Sequence, residues 1–168
     1  TKAYDGKVVV NKVTDTYEPG QIYYFRTPSG SGKTTLFRLI AGLEMADEGA
    51  VEGAEKGLSY LFQEDRLCEQ YSAVKNVELI TGNAFTAKEE LLKLLEAEDL
   101  NKPCKELSGG MKRRVALVRA MVAKTPIVLL DEPYNGLDEE NREKVFAYIE
   151  ANAQNRIILM ATHMKQNS

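Results

Sequence analysis

The hexapeptide Ser29-Gly30-Ser31-Gly32-Lys33-Thr34 lies between an aromatic, β-branched run, QIYYF, and a segment patterned as a helix. Residues of these types in this order are suited to holding an anion. Successive backbone N–H groups can curl around it, and glycines permit the close approach and the unusual dihedrals. The helix that follows adds partial positive charge at its N-terminus. Lys33 then reaches the outer phosphates of a nucleotide, and the Thr34 hydroxyl is a ligand for Mg²⁺. The plainer reading is a Ser/Gly-rich surface loop that precedes Lys-Thr by chance; the strand before it and the helix after it argue against that. Thr27 stands where glycine is expected to open the turn. It lies upstream of the phosphate-holding amides, and a β-branched residue there is costly only if φ must be positive.

A phosphate loop of this kind needs an acid to hold its metal. IVLLDEP supplies one: four apolar residues, then Asp131 and Glu132 at the strand end. Asp131 can accept a water on Mg²⁺, and Glu132 can polarise the attacking water as general base. Taken alone, the pair reads equally well as an acidic turn before Pro133. Beside a phosphate loop, the chemical reading gains weight.

The elements that must position these residues follow from pattern. KVVV (Lys7 to Val10) and QIYYF (Gln21 to Phe25) read as strands separated by a turn at Pro19-Gly20. Lys33 to Ala41 reads as a helix stopped by Gly42. GAVEG and GLSYLF read as short strands around a Glu/Lys turn. From Ser72 to Leu100 the pattern is helical, with Thr86 and Glu89 as a capping box and Leu91, Leu94 and Leu95 on one face. A further helix begins near Ser108, with Met111, Val115, Val118 and Val122 at helical spacing. PIVLLD is an unbroken apolar run, as in a buried parallel strand. A helix from Asp138 to about Ala153 leads to a last apolar strand, RIILMAT. Strands alternating with helices predict an α/β fold with a mostly parallel sheet, interrupted by a helical insertion.

Composition bounds the remaining possibilities. The chain has 168 residues, 43% hydrophobic and 28% charged, which fits one domain with a sizeable core. A formal net charge of −3 gives no general attraction for nucleic acid or an anionic membrane. Cys68 and Cys104 lack metal-ligand spacing and read as reduced structural thiols of a cytosolic protein. No apolar run approaches the roughly 20 residues that span a bilayer, and the first residues carry no signal-peptide pattern. A peripheral subunit of a membrane assembly remains compatible with this.

ELSGGMKRRVALVRAM carries the residues most specific to one family. Leu107-Ser108-Gly109-Gly110-Met111, a basic amphipathic helix, IVLLDEP and NGLD together resemble the signature of the ATP-binding-cassette (ABC) ATPases. Other elements of that family follow in order. Gln63 in YLFQED resembles the Q-loop glutamine, Asp138 in NGLD the D-loop aspartate, and His163 in MATHM the switch histidine. Tyr4 resembles the aromatic residue that stacks on adenine. From the residues alone, Gln63 reads equally as a polar strand end, His163 as a solvated side chain and Tyr4 as a surface aromatic. The Lys112-Arg113-Arg114 run reads as a solvated helix face rather than a nucleic-acid patch.

The resemblance implies a P-loop NTPase fold with a small N-terminal antiparallel β part. It implies a single domain, 1–168, with a helical subdomain insertion over roughly 64–115. Its cofactors are ATP and Mg²⁺. Ser29, Gly30, Ser31, Gly32, Lys33, Thr34 and Thr35 would hold the phosphates, with Thr34, Gln63 and Asp131 at the metal. Glu132, His163, Gln63 and Lys33 would serve catalysis. Ser108, Gly109, Gly110 and Asp138 would complete the ATP site of a second ABC subunit. The implied partners are that second subunit, an integral membrane permease and, for an importer, a substrate-binding protein; no nucleic acid is expected. The implied location is cytoplasmic, at the inner face of the cell membrane.

Met111 replaces the more usual glutamine of the signature, and the usual elements before Thr1 and after His163 are missing, as in a trimmed cassette with an incomplete edge sheet. FQEDRL and LSGGM lean toward importers of nitrate, sulfonates and similar solutes. Rival expectations are an ABC ATPase of assembly, translation or DNA repair, and a nucleotide-binding regulator without turnover.

Overall fold

A computed structural model describes residues 1–26, 28 and 30–163, so the expectations for Thr27 and Ser29 lie outside the described residues. Its centre is a four-stranded, all-parallel sheet in the order β3-β6-β5-β4. These strands are β3 (Gln21–Phe25), β4 (Leu58–Leu61), β5 (Ile127–Asp131) and β6 (Ile157–Ala161). The helices are α1 (Lys33–Ile40), α2 (Ala73–Thr81), α3 (Ala84–Leu91), α4 (Gly109–Met121) and α5 (Glu139–Ala151).

The period of two along a strand divides the core. Val128, Leu130, Ile158 and Met160 pack with Val115, Val118, Val145 and Ile149 of α4 and α5. Leu129, Leu159 and Ala161 point the other way, onto Phe37 of α1. With both faces covered, the central strands must be apolar at every position, which is why IVLL and IILM show no alternation. Each such aliphatic side chain contributes about 1.5–3 kcal/mol on full burial.

Four helices begin on side-chain caps. Ser72, Asn83, Ser108 and Asp138 accept the backbone N–H of Lys75, Thr86, Met111 and Asn141 respectively. The cap of α3 corrects one expectation. Asn83 caps that helix, and Thr86 lies in its first turn as the residue whose N–H is held. GAVEG forms no strand; it is irregular backbone leading to a 3-10 turn at Ala54–Lys56.

At the N-terminus, β1 (Lys2–Tyr4) pairs antiparallel with β2 (Lys7–Val10). Asp5 and Gly6 join them with φ of 47° and 78°, the twist-matched turn that favours Asp-Gly. β1 is absent from the reading of the sequence. Both cysteines are free thiols; Cys104 is buried as expected of a structural residue, whereas Cys68 is exposed.

Candidate functional site

Register brings the site together. Phe25 and Asp131 both pair with Ala161, so the ends of β3, β6 and β5 lie side by side, and Leu61 of β4 pairs with Leu130. The loops that follow therefore open on one edge: the phosphate loop, His163, Glu132 and Gln63. The carboxyl edge of a parallel sheet is where open α/β folds bind ligands.

The loop from Gly30 to Lys33 turns on glycines. Gly30 and Gly32 have φ of 78° and 88°. A Cβ on Gly32 would lie 2.6 Å from the Val9 carbonyl oxygen, so β2 itself forbids a side chain there. Gly32 precedes α1 without a side-chain cap, and a helix N-terminus is a favourable place for an anion. The Lys33 ammonium donates to the Pro28 carbonyl at 3.1 Å, curled back over the loop.

One turn in, the Thr34 hydroxyl donates to Asp131 Oδ2 at 2.8 Å. Asp131 is buried, and burial above all raises its carboxyl above the ordinary aspartate value; Thr34, Arg113 and Lys33 oppose that. A cation would relieve this cost. Among the described residues no cluster of three acidic, histidine or cysteine side chains exists. One hydroxyl and one carboxylate fit Mg²⁺, which keeps its waters and takes the remaining oxygens from phosphate.

Glu132 has φ of 53°, a left-handed conformation that costs a glutamate about 1 kcal/mol or more. Its N–H donates to the Ala161 carbonyl at 2.8 Å, which fixes the turn to the neighbouring strand end. His163 Nε2 lies 2.9 Å from Glu132 Oε1, and the His163 N–H donates to Oε2 at 3.4 Å. His163 is thus tied to the acid and is not an isolated solvated side chain. Gln63 is exposed just beyond β4. Tyr4 is 41% exposed and donates to Glu44, which above all raises its phenol; the Thr35 hydroxyl also faces it. Tyr4 therefore flanks the first turn of α1.

Ser108, Gly109, Gly110 and Asp138 gather elsewhere. Ser108 and Gly109 are exposed at the start of α4. Gly110 backs onto Gly136: an added Cβ would lie 3.1 Å from the Gly136 oxygen and 3.3 Å from Leu137. Asp138 caps α5 through Asn141, whose side-chain oxygen accepts from Arg114 at 2.6 Å. Ser108, Gly109 and Asp138 are exposed, and the contact of half-buried Gly110 with Gly136 and Leu137 brings the starts of α4 and α5 together.

Arg113 is where the sequence reading fails. It is 3% exposed, not solvated. Its guanidinium donates to the carbonyls of Phe62 (2.7 Å), Gln63 (3.3 Å) and Glu132 (3.0 Å), to that of Asp131, and to Asp65 Oδ1 (2.9 Å). Arg119 donates to the backbone of Asp65 and Arg66. A signal was present: Arg113 lies four and seven residues before the buried Leu117 and Ala120, in line with an apolar stripe.

The pattern of the ABC transporter family matches residues 10–135, three quarters of the chain. The chain belongs to the ABC transporter family. It is an α/β cassette that binds ATP and hydrolyses it, with Mg²⁺ as cofactor. An aliphatic sulfonates import ATP-binding protein of Rhodococcus jostii is 39% identical over 95% of this chain and 69% of its own length. A second protein of that name, from Pseudomonas syringae, is 34% identical over 96% of this chain and 72% of its own. Among solved structures, the ATP-binding cassette MJ0796, a dimer in a post-hydrolysis state bound to ADP and phosphate, superposes with a TM-score of 0.82. It is 26% identical and covers 98% of this cassette and 84% of that chain. No described helix of the cassette is long and apolar enough to cross a membrane.

Proposed function

We propose that this cassette powers a sulfonate-type importer, with the site residues in the following roles. Gly30, Ser31, Gly32, Lys33, Thr34 and Thr35 hold the phosphates of ATP, together with Ser29, and Tyr4 stacks on the adenine. Thr34, Asp131 and Gln63 would hold Mg²⁺. When bound, Mg²⁺ neutralises phosphate charge. Glu132 takes the proton of the attacking water, and His163 holds Glu132 in place. Ser108, Gly109, Gly110 and Asp138 close over the ATP of a second copy. Closure then biases a membrane permease between its two access states, and hydrolysis reverses it.

The observation that supports this best is the alignment of three strand ends, which sets Thr34, Asp131, Glu132 and His163 on one edge. The dimeric cassette structure supports pairing, and the names of the relatives support a permease partner and sulfonate as solute. A substrate-binding protein and a position at the inner face of the membrane follow from an importer. The helical segment over roughly 64–115 would be the subdomain that meets the permease. The test is phosphate release from Mg-ATP. Wild type should release it, Lys33→Ala should not, and assembly with a sulfonate permease should make release depend on solute. Equal release by wild type and Lys33→Ala would overturn the reading.

A further inference from the structure

Two loops that belong to different strands meet on one side chain of a third element. β4 ends at Leu61 and β5 at Asp131. The carbonyls just beyond each end have no further strand to pair with, and Arg113 of α4 takes them up. Its guanidinium binds Phe62, Gln63 and Asp65 on one side, and the carbonyls of Asp131 and Glu132 on the other. Five donors in a planar fork suit this task, and a buried unpaired guanidinium would be costly. Lysine, with three donors at one point, cannot span both loops.

We infer that Arg113 is a positioning residue for hydrolysis: it sets the Glu132 peptide and the Gln63 loop in one frame and ties both to the signature helix. Glu132 holds a left-handed φ that its own side chain does not favour. Its N–H is fixed by Ala161 and its carbonyl by Arg113, so the peptide is clamped from both ends. Ser108 caps the same helix five residues upstream of Arg113, about 7.5 Å along the axis. An anion bound at Ser108 and the peptide that carries Glu132 are therefore joined through one rigid helix turn and one guanidinium. Arg119, six residues on, adds a second grip on the backbone of Asp65 and Arg66. The inference rests on the proposed roles of Glu132 and Gln63, but the clamp itself does not.

The test compares wild type with Arg113→Gln, Arg113→Lys and Asp65→Asn. Turnover of Mg-ATP, equilibrium binding of a fluorescent ATP analogue and amide exchange without nucleotide are measured on each. Arg113→Gln should lose roughly tenfold or more in kcat while nucleotide affinity holds, the mark of a group that acts on the reaction rather than on binding. Arg113→Lys should recover only part of this. Asp65→Asn should show a smaller fall in kcat and faster exchange over residues 62–66. Loss of Arg113 should also speed exchange over 131–135. If Arg113→Gln fails to fold, Arg113→Lys and Asp65→Asn carry the test. Turnover within twofold of wild type in both, or a loss of affinity equal to the loss of kcat, would overturn the inference. If wild type itself does not hydrolyse ATP, the proposed function fails. Exchange in the Arg113 variants then decides the clamp alone, and unchanged protection in both segments would overturn it.

Discussion

The phosphate edge and the face formed by Ser108, Gly109, Gly110 and Asp138 are built on opposite plans. At the edge, functional groups already hold one another: Thr34 with Asp131, His163 with Glu132, Lys33 with the Pro28 carbonyl. Asp131 is buried, and its ionised form is costly until a cation arrives. On the signature face, Ser108, Gly109 and Asp138 are exposed, and their bonds only cap their own helices. On the proposed roles, the first region is a site that needs a ligand and the second a helix start that needs a surface to face. One chain would then carry most of one site and a fragment of another.

The largest expected break in this contrast is Glu132→Gln. Removing a general base costs roughly 10²–10⁴-fold in rate, so phosphate release should collapse while ATP binding at the edge persists. Loss of binding along with turnover would show that Glu132 serves the pocket and not the chemistry. Gly110→Val comes next. Its added atoms must displace the Gly136 backbone, so the signature face should be lost with the edge intact. Turnover should fall roughly tenfold, as when a charge-assisted hydrogen bond is lost. Nucleotide titration should give an unchanged affinity for the single chain.

The smallest effect is a matter of sign and separates the two regions by pH. Burial raises the Asp131 carboxyl above its unfolded value. The folded state therefore binds more protons across that window, and this contribution to stability is lost as pH rises through the raised value. Asp131→Asn removes the cost. Without metal, the variant should melt above wild type at neutral pH, with the gap closing as the solution is acidified. It should not respond to Mg-ATP. A variant that melts lower at neutral pH would mean that Thr34 and Arg113 more than offset the burial.

Legibility followed the range of the interactions. IVLLD and IILMA were readable because a strand covered on both faces has no polar position to spare. Ser108 and Asp138 were readable because a cap acts on the residue three positions on. The hairpin at Asp5-Gly6 carried a turn signal, but three residues of strand are too short to show a period. GAVEG has the small and β-branched residues of a strand, yet no neighbour in the four-stranded sheet pairs with it. At α3, Thr86 and Asn83 compete as caps, and the polar side chain three residues earlier takes the orphan N–H. Arg113 was hidden because all its partners but the Asp65 carboxylate are backbone carbonyls, about 18 to 51 positions away, and a carbonyl leaves no trace in a sequence.

The claim that one region needs a ligand and the other a second copy is tested most directly by the solution mass of Glu132→Gln, with and without Mg-ATP. The account predicts a monomer without nucleotide and a dimer with it, the dimer lost in Gly110→Val/Glu132→Gln. A protein that binds ATP and stays monomeric would contradict it, because the face around Ser108 would then have no phosphate to meet.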